Sequence, residues 1–141
     1  MNTRTPADPP RILVYSDDRT TREQVRLAIG RRPAADLPKV EILDCATPPA
    51  VLKEMHTGGV DLAVLDGEAV PYGGMGLARQ LKDEIYRCPP VLLLIGRRDD
   101  AWLATWSLAD AVLPHPIEPM ALADAVADLL RRRLGSFPAA S

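Results

Sequence analysis

A chain of 141 residues with a net charge of −2 and a pI near 5.7 is long enough for one domain around a single core. Its mildly acidic balance speaks against nucleic acid as a partner. Two cysteines, Cys45 and Cys88, end apolar segments without metal-ligand spacing, as expected of a reduced cytoplasmic protein. No apolar run approaches the roughly 18 residues of a membrane span, and the polar opening MNTRTPADPP lacks a signal-peptide core, so direct membrane insertion is not expected.

Residues 1–10 read as a polar, proline-rich tail. RILVYSDD, Arg11 to Asp18, is a buried strand that ends in acids. Thr20 with Glu23 forms a capping box opening a helix whose stripe is Val25, Ala28 and Ile29. VEILDC, Val40 to Cys45, is the second strand. Thr47 before Pro48 marks the start of a helix carrying Val51, Leu52 and Met55 and stopping at Gly58 and Gly59. Val60 to Leu65 is apolar except for Asp61, the pattern of a strand buried on both faces of a parallel sheet, and it delivers Asp66 at its carboxyl end. A loop, Gly67 to Gly73, leads to a helix with Leu77, Ala78, Leu81 and Ile85 on one face. PPVLLLIG, Pro89 to Gly96, is the most apolar strand. A helix over Ala101 to Leu108, the strand ADAVLP, and His115 with Pro116 follow. Pro119 opens the last helix, with Leu122, Val126, Leu129 and Leu130 inward and Arg131 to Arg133 as a solvated end that suits the helix dipole. The domain is expected over 11–134, with 135–141 as a tail.

Five strands alternating with five helices call for a parallel sheet with helices on both faces. The expected strand order is 2-1-3-4-5, the flavodoxin-like (βα)5 arrangement of the α/β class. In that order the first and third strands are neighbours, so the acids after the first converge with Asp66. Ligands of open α/β sheets bind at this carboxyl edge. A carboxylate there either caps the Gly67 turn or, where its neighbours hold a cation, receives a phosphoryl group. Gly73 to Gly76 lacks the Lys-Ser/Thr of a phosphate-binding loop, so a nucleotide-binding reading has no motif behind it.

The residues from about Arg11 to Leu134 resemble the receiver domain of two-component response regulators. RILVYSDD with Arg22, Gly74 eight residues after Asp66, GMGLARQLK, and HPIEPMALADAV carry the resemblance by their order and spacing. The 14 prolines, with plentiful alanine and arginine, read as the bias of a GC-rich bacterial genome. The resemblance implies an atypical stand-alone receiver taking a phosphoryl group from a histidine kinase onto Asp66, with self-phosphorylation as its only chemistry. Mg2+ would be held by Asp17, Asp66 and the backbone carbonyl of Glu68, because charge on transferring phosphoryl oxygens needs a cation with hard oxygen ligands. Two registers of the acidic pair stay open. Counting back from Arg22 gives Ser16 and Asp17, the preferred pair; a shift of one gives Asp17 and Asp18.

The departures are as informative. The family's fourth-strand hydroxyl falls at Ile95, followed by Gly96. Its lysine falls at His115, ahead of Pro116 and an expected cis bond, although a satisfied loop histidine is the favoured reading of that residue. Its aromatic switch falls at Val112. A ligand shifts an equilibrium only through differential affinity, so phosphorylation is expected to move the fourth and fifth strands little. Glu68 and Arg97 are expected to pair across the mouth of the site. AWLATWSL carries two apolar stripes where one would cover the sheet. Trp106, or Trp102, is therefore expected to be exposed and, with Val112, to form a partner face on the fourth helix and fifth strand. The alternative function is a pseudo-receiver that turns over no phosphate and serves as a constitutive docking or accessory subunit. Stand-alone receivers serve transcription machinery, kinases or large multi-subunit complexes, a respiratory-chain enzyme among them, and no residue singles one out.

Overall fold

The five-residue runs Leu62–Asp66 and Val91–Ile95 are buried at every position, the condition of central strands covered by helices on both faces. They are β3 and β4 of a computed structural model that describes residues 8–68, 74–96 and 105–135. The other strands are β1 (Arg11–Tyr15), β2 (Glu41–Cys45) and β5 (Ala111–Pro114), and the helices are α1 (Arg19–Ile29), α2 (Pro48–Thr57), α3 (Gly74–Glu84) and a C-terminal helix, Pro119–Gly135. All strand pairs are parallel and their order is β2-β1-β3-β4-β5, as expected.

Alternation along the strands divides the core. Leu13, Tyr15, Ala63, Leu65, Leu93 and Ile95 pack with Val51, Met55, Leu77 and Leu81 of α2 and α3. Ile12, Val14, Val64, Leu92 and Leu94 pack on the other face with Val25 and Ile29 of α1 and with Leu122, Val126, Leu129 and Leu130 of the C-terminal helix. The register sets Tyr15 beside Leu65 and Asp66 beside Leu94, so the strand ends line up along one edge.

Several local expectations are corrected. The cap of α1 is Asp18, whose Oδ1 accepts from the Thr20 backbone at 2.8 Å, and not a box opened by Thr20. The strand stops at Tyr15, short of Asp18, which leaves Asp18 free to take the capping place. Thr47 caps α2 as expected, accepting from the Ala50 amide at 3.3 Å. Arg131 to Arg133 are more than a solvated end. Arg131 makes two 2.8 Å bonds to Asp36 and one to Asp128, while Nε of Arg133 lies 3.8 Å from Oδ1 of Asp61, a carboxylate only 1% exposed. A buried acid draws in a cation.

Gly67, just past Asp66, is required by close approach. Its amide donates to the Leu94 carbonyl at 2.7 Å, and a methyl built on it would meet that oxygen at 2.6 Å. The first half of the expected helix Ala101–Leu108 lies outside the described residues; Thr105 and Trp106 are helical, and Leu108 has a φ of 65°. Among the described residues no helix is long and apolar enough to cross a membrane.

Candidate functional site at the carboxyl edge

β1, β3 and β5 each deliver one polar side chain to the same point. Ser16, directly after β1, is fully buried, and its Oγ donates to Oδ2 of Asp66 at 2.8 Å while accepting from the Asp18 amide at 3.0 Å. Arg22, one turn into α1, reaches back so that Nη1 donates to the Ser16 carbonyl at 2.7 Å. Asp66 ends β3 at 3% exposure, and its Oδ1 accepts from the Glu68 amide at 2.9 Å. His115 follows β5, tied by its amide to the Ile95 carbonyl at 2.8 Å, and the His115–Pro116 bond is cis, as expected. Its Nε2 lies 3.0 Å from Oδ1 of Asp66. With its proton on Nε2, the ring donates to that oxygen.

Asp66 therefore holds three of the roughly four hydrogen bonds a carboxylate can accept. It faces a cleft lined by Asp17, Asp18, Thr21, Glu68 and His115. Among the described residues no group of three His, Cys, Asp or Glu side chains is arranged to hold a metal unaided. Mg2+ is bound through one or two carboxylates with phosphate oxygens and water, and a cleft lined by the carboxylates of Asp17 and Asp66 suits such a cation.

Ile95 ends β4 at 5% exposure and Gly96 lies under the side chain of Glu68. Arg97 and Trp102 lie outside the described residues. Trp106 is 50% exposed, as expected, with the Arg79 guanidinium 5.6 Å from its ring centroid and Nη1 of Arg79 donating to its carbonyl at 3.0 Å. Val112 is half-buried and packs on the α2–α3 face of the sheet.

Two neighbours of the site were not singled out from the sequence. Thr21 lines the cleft from the first turn of α1, a place defined only once Asp18 is known as the cap. Tyr15 is buried beneath it; burial first, then the charges of Asp17 and Asp66, raise its phenol above the ordinary value. The period-two alternation of β1 already points Tyr15 opposite to Val14.

Cys45, at the end of β2, is pushed up to about 11 by burial, with help from Glu54 and Asp44. The unfolded chain releases this proton near 9.0, so the stability linked to it is intact below that pH and lost as pH climbs through the folded value. Iodoacetamide at pH 8 should modify Cys45 at least about a hundredfold more slowly in the native protein than in urea, since only the thiolate reacts. Equal rates would place the thiol outside the core.

An open parallel α/β sheet of order 2-1-3-4-5 with a buried aspartate at its carboxyl edge is consistent with a receiver-type domain, and comparison with known proteins decides the family. No family model matches the chain. It is 56% identical over 121 residues to an uncharacterized response regulatory protein of Mycobacterium tuberculosis, a match covering 86% of this chain and 91% of that protein, and the same holds in a second strain. The chain belongs to the response regulator family. Among solved structures, a CheY-like response regulator receiver domain protein from Methanospirillum hungatei matches with a TM-score of 0.73 at 18% identity, over 92% of this chain and all of that one. The beryllofluoride-activated DrrB receiver domain matches at 0.71 and 20% identity, over 89% of this chain and 100% of that one. These show the receiver fold.

Proposed function

We propose that this receiver accepts a phosphoryl group on Asp66, from a histidine kinase, and signals by protein–protein contact. The observation that carries the reading is the environment of Asp66. A buried carboxylate at the carboxyl edge is held by Ser16, His115 and its own Glu68 amide, with Asp17 on the wall of the same cleft. One oxygen of Asp66 forms the new P–O bond as the donor's leaving group departs. Mg2+, when bound, offsets charge on the transferred phosphoryl group. Asp17, Asp66 and the Glu68 carbonyl are the ligands in this reading. Asp18 is tied to the start of α1 through Thr20, which favours Ser16 and Asp17 as the pair. His115 Nε2 supplies a hydrogen-bond donor where the family has a lysine.

A second reading, docking without phosphate, has one observation behind it. Asp66 is already well satisfied by its three donors, and neither Ile95 nor Gly96 offers a hydroxyl to follow a phosphoryl group. Beryllofluoride with Mg2+, followed by backbone chemical shifts, separates the two. The phosphoacceptor reading expects shifts at Ser16, Asp66, Glu68 and His115 with little movement of β4 and β5. Absence of binding would favour the docking reading, and large shifts across β4 and β5 would overturn the expectation of a muted switch.

The partner face in this reading is built around Trp106, half-exposed next to Arg79 of α3. Trp106→Ala should change folding stability by less than about 1 kcal/mol, as for other surface sites, while costing about 2 kcal/mol or more of affinity for a partner seated there. A mutant that unfolds, or that binds normally, would move the interface elsewhere. The reading places the protein in the cytoplasm, with its kinase.

A further inference from the structure

We infer that Ser16 sets the lifetime of the phosphorylated state: its buried hydroxyl favours Asp66 as a free carboxylate and speeds the loss of phosphate from it. The inference deepens the reading of Asp66 as phosphoacceptor and rests on it. Ser16 is fully buried, and its Oγ donates to Oδ2 of Asp66 at 2.8 Å. That bond is charge-assisted while Asp66 is ionised, and such bonds are roughly twice as strong as neutral ones. Phosphorylation turns the carboxylate into an acyl phosphate, and the charge moves from the carboxyl oxygens onto the phosphoryl group. The same hydroxyl then faces a neutral acceptor.

A donor that follows the charge serves both states, whereas one that stays behind favours the carboxylate. Ser16 is held in place from three sides. Its Oγ accepts from the Asp18 amide at 3.0 Å, its carbonyl accepts from Nη1 of Arg22 at 2.7 Å, and its amide donates to the Cys45 carbonyl at 3.3 Å. His115, by contrast, lines the cleft with its side chain 24% exposed, and has room to turn toward a transferred group. In hydrolysis water attacks phosphorus and the P–O bond to Asp66 breaks. Its electron pair returns to the carboxylate, and the phosphate leaves as dihydrogen phosphate carrying both protons of the water. Negative charge grows on Asp66 in that step, where Ser16 already points a donor that needs no reorganisation. In the loading direction the same bond stabilises the starting carboxylate more than the transition state, and so slows the transfer.

The test follows wild type, Ser16→Ala and Ser16→Cys by intact mass, first as acetyl phosphate with Mg2+ loads them and then as phosphate is lost once the donor is removed. Ser16→Ala should lose phosphate on the order of tenfold more slowly, below the full effect of deleting a donor because the bond persists in weaker form. It should load no more slowly than wild type. Ser16→Cys, whose S–H is a weak donor, should fall between. The beryllofluoride concentration at half-saturation, read by backbone chemical shifts, should drop in Ser16→Ala, an equilibrium readout independent of turnover. A merely structural role would slow loading and weaken beryllofluoride binding instead. Loss of phosphate from Ser16→Ala at the wild-type rate or faster, or slower loading, overturns the inference. Loss from Ser16→Cys at the wild-type rate does the same, so the answer does not hang on the alanine variant folding. A wild-type protein that takes no phosphate, or undiminished incorporation in Asp66→Asn, overturns the acceptor reading itself, and the role of Ser16 with it.

Discussion

Asp61→Ala should lower the stability of the folded protein by about 3 kcal/mol, a cost in the range for breaking a buried charge pair. Asp61 is 1% exposed at the amino edge of β3. Its Oδ2 accepts from the Arg11 amide at 3.0 Å, joining β1 to the segment before β3, and Oδ1 lies 3.8 Å from Nε of Arg133. Alanine leaves that amide without its side-chain acceptor and removes the carboxylate beside Arg133. Arg133 is about a quarter exposed and water recovers part of the loss, which holds the figure to the low end. For a domain of this size the change corresponds to a drop in Tm of roughly 10 °C. Asp61→Asn keeps an acceptor for the amide and should recover about half. Asp83→Ala, at an exposed carboxylate of α3, should stay within about 0.5 kcal/mol. Urea unfolding checks all three, and a loss under 1 kcal/mol in Asp61→Ala would show that the carboxylate is dispensable.

His115→Ala should slow phosphoryl transfer to Asp66 by a factor on the order of 10 to 10². Loss of one well-placed donor to developing charge costs about 10²–10³ in rate. The His115 bond to Asp66 exists before the reaction as well, at 3.0 Å, and only the difference between resting and transition states counts. That difference trims the expected loss. His115→Gln, which keeps an N–H donor, should fall between alanine and wild type. Equal rates in all three would make His115 a satisfied loop residue with no part in the chemistry.

The legibility of this chain follows the range of each interaction. β3 and β4 were plain because continuous apolar runs of that length have one good home, the middle of a parallel sheet, and Asp66 followed from where the run ends. Strand order alone brings the acids after β1 towards Asp66; the Ser16 bond to Asp66 is added by the fold itself. The start of α1 was misread because Thr20 with Glu23 is a sound local signal; Asp18 wins only because β1 stops at Tyr15. Two stripes on AWLATWSL were enough to expect Trp106 at the surface, since only one stripe can face the sheet. The role of Asp61 was hidden, because its partners Arg11 and Arg133 lie on distant segments and a lone acid in an apolar run has no local pattern.

The most direct measurement is incorporation of phosphate from phosphoramidate or acetyl phosphate, with Mg2+ or with a chelator, read by intact mass and by mapping the modified peptide. Wild-type protein with Mg2+ should gain one base- and hydroxylamine-labile phosphate on the peptide containing Asp66, and the chelated sample and Asp66→Asn should gain none. A stable phosphate on another residue, or incorporation that ignores both the metal and the substitution, would contradict Asp66 as the phosphoacceptor of this receiver.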